Sequence, residues 1–442
     1  MSVNGQWTTR RLVELRSKDK YAFVGGPFGS NLVSSDYTED GVPVIRGCNL
    51  PENSSFALDE LVFVSEKKAD SLRQNTAMPG DLVFTQRGTL GQVGLIPKKS
   101  PYSRFIISQS QMKLTVDPEK ADPRYLYYYF RLPSTVEMIN SLAISSGVPH
   151  INLDILRKFQ VLTPPVPVQN KIAAILSAYD ELIENNKRRI ALLKKVAEEI
   201  YREWFVRLRF PGHEKVKVIK GVPDGWEVKR ISDIVQFLSG YTFKSETYTP
   251  VGEFGIVTIK NVQDGYFVPE CSDFIEVPPT NMKEHCVMRA GDILMSLTGN
   301  VGRVCHVYGS NLLLNQRVAK LRSKLNDGSQ FIYCTFNNRS MIQLIENLSL
   351  GSTAQMNLSP IQLGKQKLIV PDSKLLTRFE KTVQPFTEQK LNLYYQCQSL
   401  QNARNLLLPR LISGKLSVEN LAIQFPPGMA EELNDAPAAA HA

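Results

Sequence analysis

Two stretches of this chain, GDLVFTQRGTLGQV at residues 80–93 and GDILMSLTGNVGRV at residues 291–304, align without a gap. Each begins with Gly-Asp, continues with four residues typical of a β-strand, and ends in a glycine-containing loop. A match of this length at a separation of about 200 residues indicates that the chain contains the same structural unit twice.

Further matches flank these stretches in the same order in both halves. The spacing between matched positions falls from 219 residues at the two tryptophans to 211 at Gly-Asp and 207 at the glutamine stretches. Length changes therefore fall between the matches, where loops tolerate them. The matched pairs are WTTRRL (7–12) with WEVKRI (226–231), PVIRGCNL (43–50) with GIVTIKNV (255–262), QSQMKL (109–114) with QRVAKL (316–321), and SGVPHINL (146–153) with LGSTAQMNL (350–358).

A long helix is predicted after each copy. Beyond the proline-rich stretch 163–167, apolar residues recur every seven positions from Ile172, and beyond Pro371 the same pattern recurs from Phe379, 207 residues later. Such heptads are typical of coiled coils, and two of them in one chain can bury each other as an antiparallel pair. Thirty-five helical residues span roughly 50 Å. Asn186 falls in the apolar seam, as a register-fixing polar residue or as part of a partly wet seam, and Pro385 is expected to kink the second helix or to mark its start.

Composition bounds the class of protein. With 442 residues, 43% hydrophobic and 21% charged, the chain has the balance of a folded protein with more than one domain. Its net charge of +9 favours a polyanionic partner. The sequence contains no apolar run of membrane-spanning length and no apolar secretion segment at its start, so we expect a cytoplasmic protein without membrane contact. The six cysteines form no C-x-x-C pair and are expected to be buried free thiols.

Motifs of catalysis are missing from the sequence. It has no G-x-x-x-x-G-K-[ST], no G-x-G-x-x-G and no H-E-x-x-H, and it lacks the Asn/Asp-Pro-Pro-aromatic tetrapeptide of amino-methyltransferases. Asp224 and Glu227 lie close together just before and after Trp226, and a linker turn explains them better than a nuclease site. We therefore predict a non-catalytic protein with no metal site.

The order and doubling of several segments resemble the specificity subunits of type I restriction-modification systems. The resemblance covers nearly the whole chain and implies an α/β (α+β) fold with two tandem target-recognition domains, separated by two long helices that form an antiparallel coiled coil, and with a pseudo-two-fold internal repeat. The segments that carry it are GGPFGS (25–30), the two Gly-Asp stretches, SSGVPHINLDIL (145–156) with GSTAQMNLSPI (351–361), and LLLPRLISGKL (406–416).

This resemblance, together with the helix pattern, sets the expected domain bounds. We expect a first target-recognition domain at 1–164, a first long helix at 165–211, a second target-recognition domain at 212–371, a second long helix at 372–417 and a disordered tail at 418–442.

The resemblance also implies partners. A specificity subunit binds double-stranded DNA at a bipartite site with an unread spacer, and docks two methyltransferase subunits and, through them, restriction/translocase subunits in a prokaryotic cytoplasm. No cofactor is expected in this chain, because S-adenosylmethionine, ATP and Mg would be held by the partners. Two alternatives stay open: a coiled-coil protein-interaction adaptor without DNA specificity, and an enzyme with an unrecognised site.

Candidate DNA-contacting residues are the polar side chains on loops and strand ends within the matched stretches. Arg, Lys, Asn and Gln can read base edges, while hydroxyls and cations suffice for phosphates. Any one of them could instead satisfy a loop backbone. Corresponding positions differ in side-chain type, which predicts that the two halves read different sequences. The first-copy candidates are Arg46, Asn49, Gln86, Arg87, Thr89, Gln109, Gln111 and His150, and the second-copy candidates are Lys260, Asn261, Thr298, Asn300, Arg303, Asn315, Arg317 and Gln355.

A basic face on the first helix, made of Lys187, Arg188, Arg189, Lys194 and Lys195, has two readings. It is a solvated face, or it contacts the DNA spacer or a partner subunit.

Overall fold

The computed structural model describes residues 7–144, 148–349, 356–426 and 429. The chain folds as two compact units: Met1–Ile183 with Leu400–Ala442 form unit 1, and Glu184–Ser399 form unit 2.

Unit 1 contains short strands followed by helices. The strands are β1 (Thr8–Arg11), β2 (Phe23–Gly25), β3 (Tyr37–Thr38), β4 (Val42–Ile45), β5 (Val62–Val64), β6 (Thr76–Ala77), β7 (Leu82–Thr85), β8 (Val93–Leu95), β9 (Phe105–Ile107), β10 (Gln111–Leu114) and β11 (Gln160–Thr163). The helices are α1 (Glu66–Ser71), α2 (Pro123–Phe130), α3 (Pro133–Ser141), α4 (Leu153–Lys158) and α5 (Val166–Tyr201), of which α5 enters unit 2 at Glu184.

Two sheets and one strand pair organise unit 1. An antiparallel sheet has the order β2-β10-β7-β8, and a mixed sheet has the order β3-β5-β4-β9-β6, in which β4 and β9 are parallel. Strand β1 pairs with β11 and so joins the start of the unit to the strand that precedes α5. The core between the antiparallel sheet and helices α2 to α5 includes Leu12, Phe84, Met112 and Tyr125, all at most 3% exposed.

Unit 2 repeats this order of elements. Its strands are β12 (Val218–Ile219), β13 (Val222–Pro223), β14 (Glu227–Arg230), β15 (Val235–Ser239), β16 (Phe254–Val257), β17 (Phe274–Ile275), β18 (Ile293–Ser296), β19 (Val304–His306), β20 (Leu312–Leu314), β21 (Val318–Ser323) and β22 (Lys367–Val370). Its helices are α6 (Ile231–Ile234), α7 (Ser329–Phe336), α8 (Arg339–Ser349), α9 (Pro360–Gly364) and α10 (Ser373–Ile412), of which α10 enters unit 1 at Leu400.

The main sheet pairings of unit 1 recur in unit 2, although its second sheet has three strands where that of unit 1 has five. An antiparallel sheet has the order β15-β21-β18-β19, a second sheet contains the parallel pair β16 and β20, and β14 pairs with β22 as β1 pairs with β11. The internal repeat and the mixed α/β class are therefore confirmed.

The Gly-Asp stretch has the same structural role in both units. Asp81 Oδ2 accepts a hydrogen bond from Met78 N (2.9 Å) and lies 3.2 Å from Lys113 Nζ on the neighbouring strand β10. Asp292 Oδ2 accepts from a backbone N–H three residues earlier and lies 2.7 Å from Lys320 Nζ on β21. Each aspartate thus closes a turn and pairs with a lysine inside its domain.

The two long helices pack in antiparallel fashion within each unit. In unit 1, Asp180 of α5 pairs with Arg404 of α10. In unit 2, Asn186 Nδ2 donates to Gln396 Oε1 (3.4 Å), whereas Tyr201, further along α5, contacts Phe379, which comes earlier in α10. Later residues of α5 thus meet earlier residues of α10, so the predicted antiparallel coiled coil is confirmed.

The helix ends differ in detail from the sequence expectation. Helix α5 ends at Tyr201 and continues as a π-helical segment over Arg202–Val206. Helix α10 begins at Ser373 and runs without a break through Pro385, so this proline does not mark the helix start.

The segment expected to be a disordered tail begins with packed residues. Val418 is 1% exposed in the core of unit 1, and Met429 packs against Ala173 and Ala174 of α5. The difference arises because apolar side chains in this segment are buried against the domain. Residues 427, 428 and 430–442 lie outside the described part of the chain. Among the described residues, no helix is both long enough and apolar enough to cross a membrane.

Candidate nucleic-acid interface

Strand pairing brings most first-copy candidates to one end of the antiparallel sheet of unit 1. Thr85, the last residue of β7, lies opposite Gln111, the first residue of β10, so the loop after β7 and the turn before β10 are neighbours. Gln86 N donates to Ser110 O (2.7 Å), and Ile151 N donates to Gln86 O (3.0 Å). We call this group the first polar edge; it consists of Arg46, Gln86, Arg87, Thr89, Gln109, Gln111 and His150.

Arg46 joins the first polar edge through the parallel strand pair. Ile45, the last residue of β4, lies opposite Ile107, the last residue of β9, and Ser108 N donates to Ile45 O (3.0 Å). Arg46 Nη2 donates to Glu60 O (2.5 Å), while its Nε is buried and has no hydrogen-bond partner among the described residues.

A polar pocket of about 430 Å³ opens at the first polar edge. Arg87 and Thr89 are exposed at it, whereas Gln111 is fully buried and its Nε2 has no hydrogen-bond partner among the described residues. The pocket is lined by Gly47, Cys48, Thr85, Arg87, Gly88, Thr89, Gln92, Ser110 and Gln111. Hydroxyl, amide and guanidinium groups in one recess suit the hydrogen-bonding edge of a base.

The second-copy candidates meet at the corresponding end of unit 2. Ser296 of β18 lies opposite Val318 of β21, and Leu297 N donates to Arg317 O (3.0 Å). Asn315 N donates to Val257 O (3.0 Å), which brings the loop after β16 to the same place. We call this group the second polar edge; it consists of Lys260, Thr298, Asn300, Arg303, Asn315 and Arg317.

Exposed cations mark the second polar edge. Lys260 and Arg317 are exposed, and Arg303 Nη1 donates to Gln263 Oε1 (2.5 Å). Asn315 Oδ1 accepts from Arg317 N (3.3 Å) and so shapes the turn that presents this arginine. Exposed guanidinium and ammonium groups suit both phosphates and guanine.

Comparison with known proteins identifies the family. The family model described as the type I restriction modification DNA specificity domain matches residues 4–195 and 223–392, one match in each copy of the repeat. The chain belongs to the type I restriction-modification DNA specificity family. It is a type I specificity subunit whose role is DNA sequence recognition, as the resemblance predicts.

Curated relatives and a solved structure agree with this assignment. The specificity subunit of type I restriction enzyme MjaIX from Methanocaldococcus jannaschii is 28% identical over 372 residues, which cover 81% of this chain and 82% of the relative. The HindI specificity subunit from Haemophilus influenzae is 23% identical over 374 residues, covering 71% and 81%. The crystal structure of a type I restriction-modification S subunit from M. genitalium has the same fold, with a TM-score of 0.56 at 19% identity over 93% of this chain and 98% of that one.

Within this specificity subunit, the two polar edges differ in shape and charge. At Gly47, Cys48 and Ser110 the second copy has a larger or charged residue, whereas at Arg46, Arg87 and Gln111 it has the smaller or uncharged Thr258, Thr298 and Val318. Ile259 Cδ1 lies 3.2 Å from the position that a Cβ on Gly299 would take. The two edges therefore place their bulk and their charge at different positions. The corresponding positions, first copy and second, are Gly47 and Ile259, Cys48 and Lys260, Ser110 and Arg317, and Gln111 and Val318.

Two predicted contact residues of the specificity subunit have their hydrogen-bonding groups occupied inside the domains. Asn49 is fully buried, with Nδ2 donating to Ala57 O (3.2 Å) and Asp59 O (3.0 Å). Asn261 is 3% exposed, and its Nδ2 donates to Val268 O (2.9 Å) and Glu270 O (3.1 Å). Both amides hold loops, as the alternative reading of these candidates allows.

The structural counterpart of His150 is Asn357. Arg87 forms a backbone bridge with His150, and Thr298 forms the same bridge with Asn357. Sequence matching pairs His150 with Gln355 instead, and Gln355 lies outside the described residues.

Sequence reasoning missed several residues that line the pocket at the first polar edge. Gln92 Oε1 accepts from Thr85 Oγ1 (3.2 Å) at the pocket wall, and Ser110 also lines the pocket. Cys48 was expected to be buried but is exposed at the pocket, whereas Cys271 is half-buried and the other four cysteines are buried. Burial raises the pKa of Cys271 to about 11. Flanking polar residues in the glycine-containing loop were the available signal for Gln92.

Proposed function

We propose that this chain reads a bipartite DNA target, with the first polar edge contacting one half and the second polar edge the other, and with an unread spacer between the halves. One observation carries the proposal: the same strand frame occurs twice and presents, at the same sheet end, polar side chains that differ between copies. In this proposal the chain is non-catalytic and docks two methyltransferase subunits and, through them, restriction subunits. S-adenosylmethionine, ATP and Mg belong to those partners.

The chemistry of each edge favours a different half-site. At the first edge, an exposed Arg87 stands beside a recess lined by amides and hydroxyls, which can pair with adenine or guanine edges. At the second edge, Arg317 and Lys260 are exposed, which favours guanine and phosphate contacts.

A protein-interaction adaptor is the competing function. An adaptor surface would be expected to present a contiguous apolar patch, because apolar burial drives most protein association. The two edges present Arg, Lys, Gln, Asn and Thr instead. The net charge of +9 points the same way.

Methylation mapping tests the proposal. The full chain is expressed with its neighbouring methyltransferase subunit, and methylated adenines are mapped across the genome by single-molecule sequencing. We expect a two-part motif with a fixed gap that depends on this chain. Arg87→Ala should relax one half of the motif and Arg317→Ala the other, with a loss of about 1–3 kcal/mol of discrimination at the contacted base.

The control for charge alone is Lys67→Ala, which removes an exposed cation of unit 1 on α1 and should leave the motif unchanged. Unchanged methylation in the absence of the chain, with an active partner, would favour the adaptor. Relaxation of both halves by either arginine variant would contradict the division of labour between the edges.

Alkylation of Cys48 tests contact at the first edge directly. At pH 7.5 iodoacetamide should modify Cys48 fastest, because Cys271 stays protonated and the other thiols are buried. Duplex DNA with the mapped motif should slow this reaction, whereas duplex without the motif should not. Cys48→Ser identifies the modified position, and unprotected Cys48 in a saturated complex would place DNA elsewhere.

A further inference from the structure

Building on the proposed function, we propose that Phe28 stacks its ring on a base in the first half of the DNA target. It is the residue at the centre of the GGPFGS segment, and it carries no role in the sequence argument beyond family resemblance.

The side chain of Phe28 projects into solvent. It is 84% exposed, more than any other large apolar residue in the described part of the chain. Burying a phenylalanine side chain is favourable by about 1.5–3 kcal/mol, and the exposed ring forgoes this stabilisation in the free chain. A partner surface that covers the ring would gain it on binding.

The loop that carries Phe28 is fixed at both ends. A Cβ on Gly26 would lie 2.0 Å from Ser108 O, so only glycine fits there. After Phe28 in the chain, the loop is held by Gln109, whose Nε2 donates to Gly29 O (2.6 Å) and Leu32 O (2.8 Å). Phe28 is therefore presented on an anchored loop and does not depend on chain flexibility to reach outward.

This loop adjoins the first polar edge. Gly26 N donates to Gln111 O (2.8 Å), and a Cβ on Gly25 would lie 3.6 Å from Gln86 Oε1. The ring thus rises from the same strand ends that carry Arg87 and the polar pocket. A DNA duplex seated on that edge would meet the ring.

A flat apolar ring next to base-reading groups matches the chemistry of bases. Aromatic side chains stack on base faces, and apolar side chains inserted between base steps unstack and bend duplexes. Counted from the paired strands, the second-copy residue in the place of Phe28 is Thr242, whose Oγ1 donates to Gln316 Oε1 (2.6 Å). The neighbouring Phe243 is only 7% exposed, so stacking is expected at the first half-site alone.

Fluorescence and affinity measurements test the inference. The full chain with its methyltransferase partner is titrated onto duplexes that carry 2-aminopurine at single positions of the first half-site. We expect an emission change at one position, lost in Phe28→Ala, together with about 5- to 100-fold weaker binding. Phe28→Tyr and Phe28→Trp should keep both signals, whereas Phe28→Leu should lose them.

Controls separate this inference from the proposed function. Met78→Ala removes another exposed apolar side chain of unit 1, at the opposite end of β7, and should bind like the unaltered chain. If the unaltered chain binds its split target but Phe28→Ala binds equally well, stacking is wrong and the proposed function stands. If Phe28→Leu retains full affinity, the ring acts as an apolar filler and stacking is likewise overturned. If the unaltered chain binds no split target, the proposed function itself fails.

Discussion

Lys390 Nζ lies 3.1 Å from His306 Nδ1 in the core of unit 2, and also faces the ring of Tyr333 at 4.8 Å from its centroid. Burial lowers the pKa of Lys390 to about 8, and burial together with the nearby ammonium lowers the pKa of His306 well below its usual value. A neutral imidazole can accept a hydrogen bond from the ammonium, but it cannot neutralise the charge. The lysine therefore loses its proton more readily in the folded unit than in the unfolded chain.

Replacing Lys390 by methionine should stabilise unit 2 in a pH-dependent way. Between pH 8 and 10.5 the unfolded chain binds the lysine proton and the folded chain does not, so stability of the unaltered chain rises with pH there. Below pH 8 both states are protonated and the penalty is constant. The gain from Lys390→Met should thus be larger at pH 7 than at pH 10 by about 2–3 kcal/mol.

Urea unfolding at the two pH values measures this difference. Lys381→Met, at an exposed lysine of the same helix, is the control and should show little pH-dependent effect. An identical free-energy change for Lys390→Met at pH 7 and pH 10 would show that folding does not lower the pKa of this lysine.

Asp81→Asn should destabilise unit 1 by about 3–5 kcal/mol, because Lys113 would remain buried without a carboxylate. The pair is nearly inaccessible, with side-chain exposures of 7% for Lys113 and 3% for Asp81. Asp81→Asn combined with Lys113→Met should recover most of the loss. Chemical unfolding measures all three variants.

The exposed pair Arg11–Glu14 serves as the reference, since its removal should cost at most about 1 kcal/mol. A loss for Asp81→Asn no larger than that of this surface pair would mean that the buried pair contributes little.

Gly26→Ala should displace the loop that follows β2, since the added Cβ cannot lie 2.0 Å from Ser108 O. We expect about 1–3 kcal/mol lower stability of unit 1 and relaxed recognition of the first half-site alone. Gly25→Ala is the matched control, because its Cβ would make only an ordinary contact, 3.6 Å from Gln86 Oε1. Thermal unfolding and methylation mapping are the measurements; equal behaviour of the two alanine variants would contradict the close approach at Gly26.

Asn186→Leu should raise the stability of the helix pair in unit 2 by about 1 kcal/mol. Asn186 is 7% exposed in the seam, and its hydrogen bond to Gln396 Oε1 is long at 3.4 Å. Polar residues at such positions fix register at a cost in stability. Thermal unfolding measures the change. A higher free energy of unfolding supports a partly wet seam with a weakly bound amide. A decrease of more than about 1 kcal/mol would assign Asn186 a hydrogen bond stronger than the observed distance implies.

The repeat and the helices were readable from the sequence because each rests on a periodic or repeated pattern. The heptads from Ile172 and Phe379 lie in the two long helices, and the Gly-Asp stretches form corresponding strands. Contacts between residues distant in the sequence could not be predicted. No local pattern indicates that Asp81 pairs with Lys113, or that Lys390 contacts His306.

Most of the candidate residues lie together at one sheet end in each unit, but Asn49 and Asn261 are buried within the domains. Asn152 and Ser359 both cap short helices with their side chains, so the two copies perform one task with different residues. Matching Asn152 with Asn357 by residue type then shifts the register by two and assigns His150 the wrong structural counterpart. Asn49 and Asn261 are the opposite case, because both copies use the same residue for the same task. Each asparagine holds a loop through backbone carbonyls, although the edges beside them differ.

In both units the bonds that hold the strands together lie between backbone groups and in one buried aspartate–lysine pair, while the side chains at the polar edges take little part in them. Substitutions of the exposed edge residues, such as Arg87 and Arg317, should therefore change the stability of the domain little. Under the proposed function, mutations at the edge of one unit would change the recognition of one half of the target, while the other unit keeps its own preference.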